Sequence, residues 1–597
     1  MANRAGQPAG NMSFDKPKGR SIHVLRRLWR YLSRYRMLIM LAVIVSVIGN
    51  LLALLSPKLS GYAIDAIKPN DVDIPMVAYY VNCMLIISLL SSLMSLGLSY
   101  LMISVSRRIT KQMRTDLFNR LTVLPVSFFD THQTGDVISV LSYDVDTVGS
   151  SLSTDLVQML SSAITVVGSF AMMISISPKL LLIFVFTIPV SICFTRIRAK
   201  KVRPLFRDRS RKLGELNGFV EETISGMKTV RAYHREKEFH NRFSEKNDNA
   251  VDANWKADYT ASVTGPTVNL INNVSLALVS IFGSLMYMAG NISLGSIGSF
   301  VLYSRKFSGP INEFANILSE IQSALAAAER VLTLCDIPPE EPDAPNASDA
   351  SPCKGYIQVR DVSFGYIEGK EVLHHINFEA KPGSVIAIVG ETGCGKTTLI
   401  NLLMRFYDVS SGAILLDGRD IREIKRDSLR SKYTMVLQDT WLFDGTIYDN
   451  IAYGRPGATR EEVISAARAA HIHDMIMSMP DNYATQIIAS GTSISKGQKQ
   501  LITIARAMLM DSSMLILDEA TSNVDTQTEK LIQDAMLKLM KGRTCFVIAH
   551  RLSTITGADC ILVMDKGRLV ERGTHEELLK KGGCYASMYR AQFDYTA

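Results

Sequence analysis

Two observations predict the fold class of this 597-residue chain. Long apolar stretches crowd its first half, and the second half alternates short strand-like runs with helical patterns. Together they predict a membrane α-helical domain, with six transmembrane helices and long cytoplasmic extensions, fused to a soluble α/β domain. The length is too great for one core, and the 47% apolar content averages two unlike halves. A net charge of +8 can signal nucleic acid, but many of the basic residues flank apolar segments. That is the pattern of cytoplasmic flanks, so no nucleic-acid partner is expected. The eight cysteines are scattered, with no C-x-x-C or other metal spacing. They fit a reducing compartment or a membrane interior better than a disulfide framework.

Met1–Lys18 is polar and rich in Gly and Pro, without the apolar core of a signal peptide, and residues 1–20 are expected to be disordered. Ser21–Arg36 then places Leu25, Leu28, Trp29 and Leu32 on one helical face, with His23, Arg26, Arg27, Arg30 and Arg34 around the rest. This is the pattern of a helix lying in the membrane interface. A nucleic-acid arm is the rival reading, disfavoured by the apolar run that begins immediately afterwards. Six apolar stretches follow, near Met37–Ser56, Met76–Val105, Leu156–Ser177, Leu180–Arg196, Pro266–Ala289 and Ile292–Ile317. A bilayer core of ~30 Å needs ~20 such residues per helix. Arg107, Arg108, Lys111 and Arg114 follow the second stretch, and Arg196, Arg198, Lys200, Lys201 and Arg203 follow the fourth. Both clusters, and both chain ends, are therefore expected in the cytoplasm.

Between the third and fourth stretches lies only Ser177-Pro178-Lys179, a tight external hairpin. No proline interrupts Met76 to about Thr122, so one helix could run ~70 Å, roughly half of it in the cytosol. Polar helical sequence also continues on both sides of Gly226. The cytoplasmic tips, near Val126–Gly135 and Ser225–His234, are the expected points of contact with the second domain. Arg305 and Lys306 interrupt the sixth stretch, and ionisable groups at membrane depth usually face a cavity or a partner. They either line a cargo cavity, or Arg305 pairs with Glu313, or the pair lies nearer the cytoplasmic interface. The membrane domain is thus placed at residues 21–335.

Asp336–Pro352 (DIPPEEPDAPNASDASP) lacks periodicity and reads as a flexible linker, taken as residues 336–354. The α/β domain follows at residues 355–597. Its apolar strand Val385–Val389 runs into Gly390-Glu391-Thr392-Gly393-Cys394-Gly395-Lys396-Thr397-Thr398 and then a helix. Strand, glycine loop and helix in this order form a Walker A phosphate-binding loop. The glycines let backbone N–H groups approach phosphates, and the helix N-terminus adds a favourable dipole. Lys396 should contact the β and γ phosphates, and Thr397 should ligate Mg²⁺. Met514-Leu515-Ile516-Leu517-Asp518-Glu519 is an apolar strand ending in two carboxylates, a Walker B pattern. Asp518 should hold Mg²⁺ through water and Glu519 should position the attacking water; a buried structural acid pair is the alternative, disfavoured because an all-apolar strand ending in two carboxylates is unlike a plain core strand.

With these motifs the chain resembles an ATP-binding cassette (ABC) exporter half-transporter, six membrane helices fused to one cassette. The resemblance starts near Ser21 and rests on the order GETGCGKTT, SISKGQKQ, LILDEA, VIAH. It implies an α/β P-loop nucleotide-binding domain with a helical subdomain, using ATP and Mg²⁺. In the family pattern Tyr366 (VSFGY) matches the aromatic stacking on adenine, and Gln438 (MVLQD) the glutamine that senses Mg²⁺ and links to the membrane helices. His550 (VIAHRLSTI) matches the switch histidine at the γ-phosphate, so Glu519, His550 and Gln438 form the implied catalytic set. Asp525 (SNVD) matches an aspartate that communicates across a dimer.

The signature loop, Ile494-Ser495-Lys496-Gly497-Gln498, departs from the usual Leu-Ser-Gly-Gly-Gln. Ser495, Gly497 and Gln498 remain, and the resemblance aims Ser495 and Gly497 at ATP held by another chain. Thr485–Gly491 lacks the glutamate often seen there in exporters. QDTWLFDGTI and DEATSNVDT are similar to bacterial heterodimeric multidrug exporters. The implied partner is therefore a second half-transporter, a heterodimer before a homodimer, with this chain as the catalytically competent member. The implied cargo is an amphipathic or drug-like small molecule carried across the cytoplasmic membrane, in contact with membrane lipid. A lipid flippase or a peptide exporter on the same scaffold is the alternative, the peptide exporter disfavoured because no cysteine-protease domain precedes the membrane helices. An ATP-gated channel or regulator is a rival of another class, and Glu519 argues against it.

Overall fold

The computed structural model describes residues 21–68, 71–367, 369–438, 440–488, 494–518, 525–548 and 556–593. They form two compact units, one of Met1–Thr122 with Thr134–Ile337, the other of Val123–Gln133 with Pro338–Ala597.

In the first unit, five helices among the described residues are long and apolar enough to cross a membrane: Arg36–Asp65, Ile74–Leu121, Thr134–Ile176, Pro178–Ser225 and Glu236–Met288. A sixth long helix, Leu294–Asp336, carries Arg305 and Lys306. The proline-free stretch forms one 48-residue helix, Ile74–Leu121. Asp73 caps its start by accepting from the Met76 N–H at 3.1 Å, with Pro75 in the first turn, where no backbone N–H is needed. Ser177 alone separates Leu156–Ile176 from Pro178–Ser225, and its hydroxyl accepts from the Leu180 N–H. Thr134–Ile176 contains two π-helical segments, Val140–Asp144 and Ser151–Asp155. Between them Gly149 approaches the neighbouring helix so closely that its carbonyl accepts from Ser106 at 2.6 Å. π-turns of this kind insert one residue per turn and re-aim a helix face, which the apolar pattern alone does not announce.

The core of the membrane unit gathers Leu54, Met173, Leu180, Phe184, Val279, Phe300, Tyr303 and Phe307. Beside it, Pro57 lies inside the helix Arg36–Asp65. A proline has no N–H, so the carbonyl of Ala53, four residues earlier, loses its helical donor. Lys306 supplies one instead, Nζ to the Ala53 carbonyl at 2.6 Å. Tyr303 donates to the Leu54 carbonyl (2.5 Å) and Ser299 to the Pro57 carbonyl (2.8 Å). The structure thus gives Lys306 a backbone partner, while Arg305 is exposed and the Glu313 side chain lies outside the described residues. One turn further on, the helices touch backbone to backbone: a Cβ on Gly295 would stand 1.9 Å from the Gly61 carbonyl oxygen.

The second unit is built on a six-stranded sheet in the order Arg568–Gly573, Cys560–Asp565, Val385–Gly390, Thr544–Ile548, Met514–Asp518, Tyr433–Val436. Only the first pair is antiparallel. Both faces are buried, and the strands divide residue by residue between two cores. Ile386, Ile388, Met514, Ile516, Phe546 and Ile548 enter one. Ala387, Val389, Leu515, Leu517, Cys545 and Val547 enter the other. A parallel sheet covered on both sides needs such apolar runs with period two. The first core is closed by an antiparallel sheet, Leu373–Ala380, Ile357–Phe364, Ser411–Leu416 and Arg419–Asp420. The second is closed by a helical subdomain that includes Arg460–Ala469 and Lys496–Leu509.

The stretch expected to be a flexible linker is held by basic residues of the second unit. Arg430 makes two bonds to Glu340 (2.5 and 3.0 Å), and Arg426 pairs with Asp343 (3.2 Å) and Asp408 (2.9 Å). The acids of a Pro-rich run look solvated in sequence; here they answer the buried Arg426 guanidinium, which cannot be left unpaired, and the half-buried Arg430. Of the two tips expected to contact the second domain, Val123–Gln133 clusters with that unit and holds the short helix Val126–Thr131. The other, containing Met227–Ala232, belongs to the membrane unit.

Candidate functional site

The glycine loop after Val385–Gly390 needs backbone that other residues resist. Gly390 and Gly395 have φ of +153° and +103°. A Cβ on Gly390 would stand 2.2 Å from the Met564 carbonyl oxygen, and one on Gly395 2.6 Å from Leu373 Cδ2. Lys396 opens the helix Lys396–Leu403 and is buried. Its Nζ donates to the carbonyls of Gly390 (2.7 Å) and Glu391 (2.9 Å), with Cys394 Sγ at 3.8 Å. A buried ammonium is tolerable only with such acceptors, and it can exchange them for stronger anionic ones. Thr392, Gly393 and Thr397 are exposed on the loop and first turn, whereas Cys394 and Thr398 are buried.

Parallel pairing aligns the strand ends. Ile388 is opposite Ile548, Ile548 opposite Asp518, and Leu517 opposite Val436. The glycine loop, Asp518 and the exposed Gln438, two residues past Val436, therefore follow the carboxyl ends of strands in one sheet, the edge where open α/β sheets bind ligands. Glu519 and His550 lie outside the described residues; in sequence they follow the strands ending at Asp518 and Ile548.

Tyr366 is 46% exposed. Its hydroxyl donates to Thr398 Oγ1 at 3.1 Å, which ties the ring to the helix that opens with Lys396. Edge contacts join it to Phe364 (5.0 Å between centroids) and Tyr407 (5.0 Å). Tyr407 in turn donates to Asp130 Oδ2 at 2.6 Å, on the tip helix Val126–Thr131 within the same unit. Burial first, and then this bond, push the Tyr407 hydroxyl well above its ordinary pKa, so it stays a donor at any physiological pH. Sequence reading missed Tyr407 and Asp130. The only signal is an aromatic directly after the Walker helix, in RFYD, and such an aromatic ordinarily reads as core.

Ser495 caps the 14-residue helix Lys496–Leu509 in a reciprocal box with Gln498: Oγ accepts from the Gln498 N–H (3.3 Å), and Oε1 accepts from the Ser495 N–H (3.0 Å). Gly497 is buried and Lys496 exposed, so the non-consensus lysine leaves the helix start intact. Asp525 caps Thr526–Met540, accepting from the Thr528 N–H at 2.9 Å, and that bond holds its carboxyl below the usual carboxylate range.

Comparison with known proteins decides the family. The family described as ABC transporter transmembrane region matches residues 39–311, and that described as ABC transporter matches residues 373–522. The chain is 42% identical over 573 residues to the ABC transporter ATP-binding protein YfiC of Bacillus subtilis (strain 168), across 96% of this chain and 94% of that protein. The chain belongs to the ABC transporter family. This ABC exporter is also 46% identical over 484 residues to a protein named fatty acid ABC transporter ATP-binding/permease protein of Mycobacterium bovis, across 80% of this chain and 76% of that one. Its fold is similar to a solved bacterial Atm1-family ABC exporter with ATP bound, at a TM-score of 0.76 and 29% identity, covering 93% and 98% of the two chains. It is a multi-pass membrane protein whose cytosolic cassette binds and hydrolyses ATP to drive transport. ABC half-transporters of this kind generally work as dimers.

Proposed function

We propose that this half-transporter exports amphipathic, acyl-bearing compounds by alternating access, with hydrolysis at sites completed by a second half-transporter. The observation that supports the ATP assignment most is the buried Lys396 ammonium inside a loop whose glycines leave room for anionic oxygens. In this reading the 390–398 loop holds the phosphates and the helix dipole favours their charge. Tyr366 stacks on adenine, and Gln438 reports the phosphate side to the membrane helices. The exposed Thr397 hydroxyl and the Asp518 carboxylate are hard oxygen donors suited to Mg²⁺, Asp518 through water. When bound, that ion would neutralise charge on the β and γ phosphates. Glu519 orients the attacking water and His550 contacts the γ-phosphate. Ser495, Gly497 and Gln498 serve the partner's ATP, from a helix N-terminus already capped. The exposed, non-consensus Lys496 and the heterodimer-like wording favour a different partner chain over a second copy. The cargo reading takes support from the relative named for fatty acids; flipping of whole lipids is the alternative.

Two variants of the assembled protein test the site. Glu519→Gln should keep ATP binding and nearly abolish phosphate release, because the water loses its positioning carboxylate. Lys396→Ala should weaken ATP binding by about 1.5–3 kcal/mol through loss of a charge-assisted contact. Near-normal turnover of Glu519→Gln, or unchanged affinity of Lys396→Ala, removes those assignments.

A further inference from the structure

The interfacial helix Ser21–Ser33 has three unlike sides. Val24 and Leu28 are buried, Tyr31 donates to Asp116 at 2.9 Å, and Arg27 pairs with Asp336, so this side is fixed to the membrane unit. Leu25 and Trp29, 60% and 64% exposed, form an apolar side. Arg26 and Arg30, with Arg34 just beyond the helix, are exposed and make no ion pair among the described residues. Asp336 ends the last long helix, which leads into the cytosolic cassette, so the pair with Arg27 sets this helix at the cytoplasmic side of the membrane.

Beneath the helix lies a cavity of about 570 Å³, lined among others by Leu25, Trp29, Ala42, Met102, Leu160 and Leu325. Its walls are almost wholly apolar, and its size is that of a small-molecule site, roughly 300–1,000 Å³. Leu25 and Trp29 both line it and are exposed, so it opens on the apolar side of this helix. An apolar cavity gives water too few partners to be a good home for it. An acyl chain entering sideways meets apolar side chains almost throughout, with Ser46 and Ser151 the polar residues of the lining. Trp29 is a residue type that favours headgroup depth. Arg26 and Arg30, adjacent in sequence to the lining residues Leu25 and Trp29, together with Arg34 one turn further on, offer positive charge that no carboxylate among the described residues pairs.

We propose that this cavity holds an acyl chain of an anionic phospholipid from the cytoplasmic leaflet, with its headgroup on Arg26, Arg30 and Arg34. Arg27 is excluded because Asp336 already neutralises it. The lipid is a resident ligand, not cargo, so the proposal stands apart from the cargo reading.

Native mass spectrometry of the assembled, delipidated protein, offered phosphatidylglycerol and phosphatidylcholine of equal chains, tests it. Basal ATP hydrolysis, unchanged in each variant, reports folding. The wild type should retain phosphatidylglycerol preferentially, and each arginine replaced by Gln should lower that preference roughly fivefold. Ala163→Phe, which fills the cavity from an exposed wall position, should lower retention of both lipids without altering the preference of what remains. Four results overturn the proposal. One is equal retention of the two lipids by the wild type. Another is unaltered retention by Ala163→Phe. The third is displacement of phosphatidylglycerol by free oleate, and the fourth is a Trp29→Cys cross-link to the partner chain; either of these two assigns the cavity to another occupant.

Discussion

Pro57 cannot donate, and Lys306 fills the place of its missing N–H on the Ala53 carbonyl. This account can be tested as a cycle. Lys306→Met should destabilise by about 1–3 kcal/mol, the cost of leaving a buried acceptor unmade. Pro57→Ala restores a backbone donor, so in that background the cost of Lys306→Met should fall by at least ~1 kcal/mol. The apparent unfolding midpoint in detergent measures both steps, and simple additivity would disprove the link. Sequence reading flagged Lys306 because a charge in an apolar run is costly. Its partner was out of reach, since nothing local joins residue 306 to residue 53. The glycine loop was fully readable for the opposite reason: its strand, loop and helix are contiguous, and each residue type has a local cause. Tyr366 was found only through resemblance, and its neighbours Phe364 and Tyr407 became visible as a cluster only in three dimensions.

Among the elements, the long helices were the most legible. Ile74–Leu121 begins at its Asp73 cap and runs unbroken beyond Pro75, where proline is absent, and Ser177 alone turns the next hairpin. The π-helical segments were not legible: no residue type in them marks a π-turn, and the contact between them, Gly149 to Ser106, joins residues 43 apart in sequence. The linker was misread in one respect: its acids matched the composition of a solvated tether, yet Arg426 and Arg430 hold them. The short helix Val126–Thr131 is tied to the cassette through Tyr407. Asp130 receives the Tyr407 hydroxyl at 2.6 Å, and Tyr407 touches Tyr366. Tyr407→Phe keeps the ring and removes that bond, which at a partly exposed site is worth about 1 kcal/mol. Basal ATP hydrolysis should hold, while stimulation by cargo should fall roughly fivefold. Asp130→Asn, which keeps an acceptor, should show a smaller loss. Equal loss of basal and stimulated rates in Tyr407→Phe would mean that the tyrosine serves the cassette alone.

At the scale of the whole molecule, the proposed function gives the capped helix start at Ser495 a role in hydrolysis only when a second cassette is present. That requirement leads to an assembly prediction. Expressed alone, the chain should hydrolyse ATP poorly, and co-expression with a different half-transporter should restore cargo-stimulated turnover; full transport by this chain alone would establish a homodimer. The two-domain organisation was readable from composition and patterning, whereas cargo and partner were not, because both depend on surfaces shaped by more than one helix. The claim that hydrolysis drives export is tested most directly by uptake of a fluorescent fatty acid into inside-out proteoliposomes of the assembled protein. Uptake should require ATP, stop with a non-hydrolysable analogue, and be lost in Glu519→Gln. Uptake at the wild-type rate in Glu519→Gln, or without ATP, would contradict the account and leave a gated pore in its place.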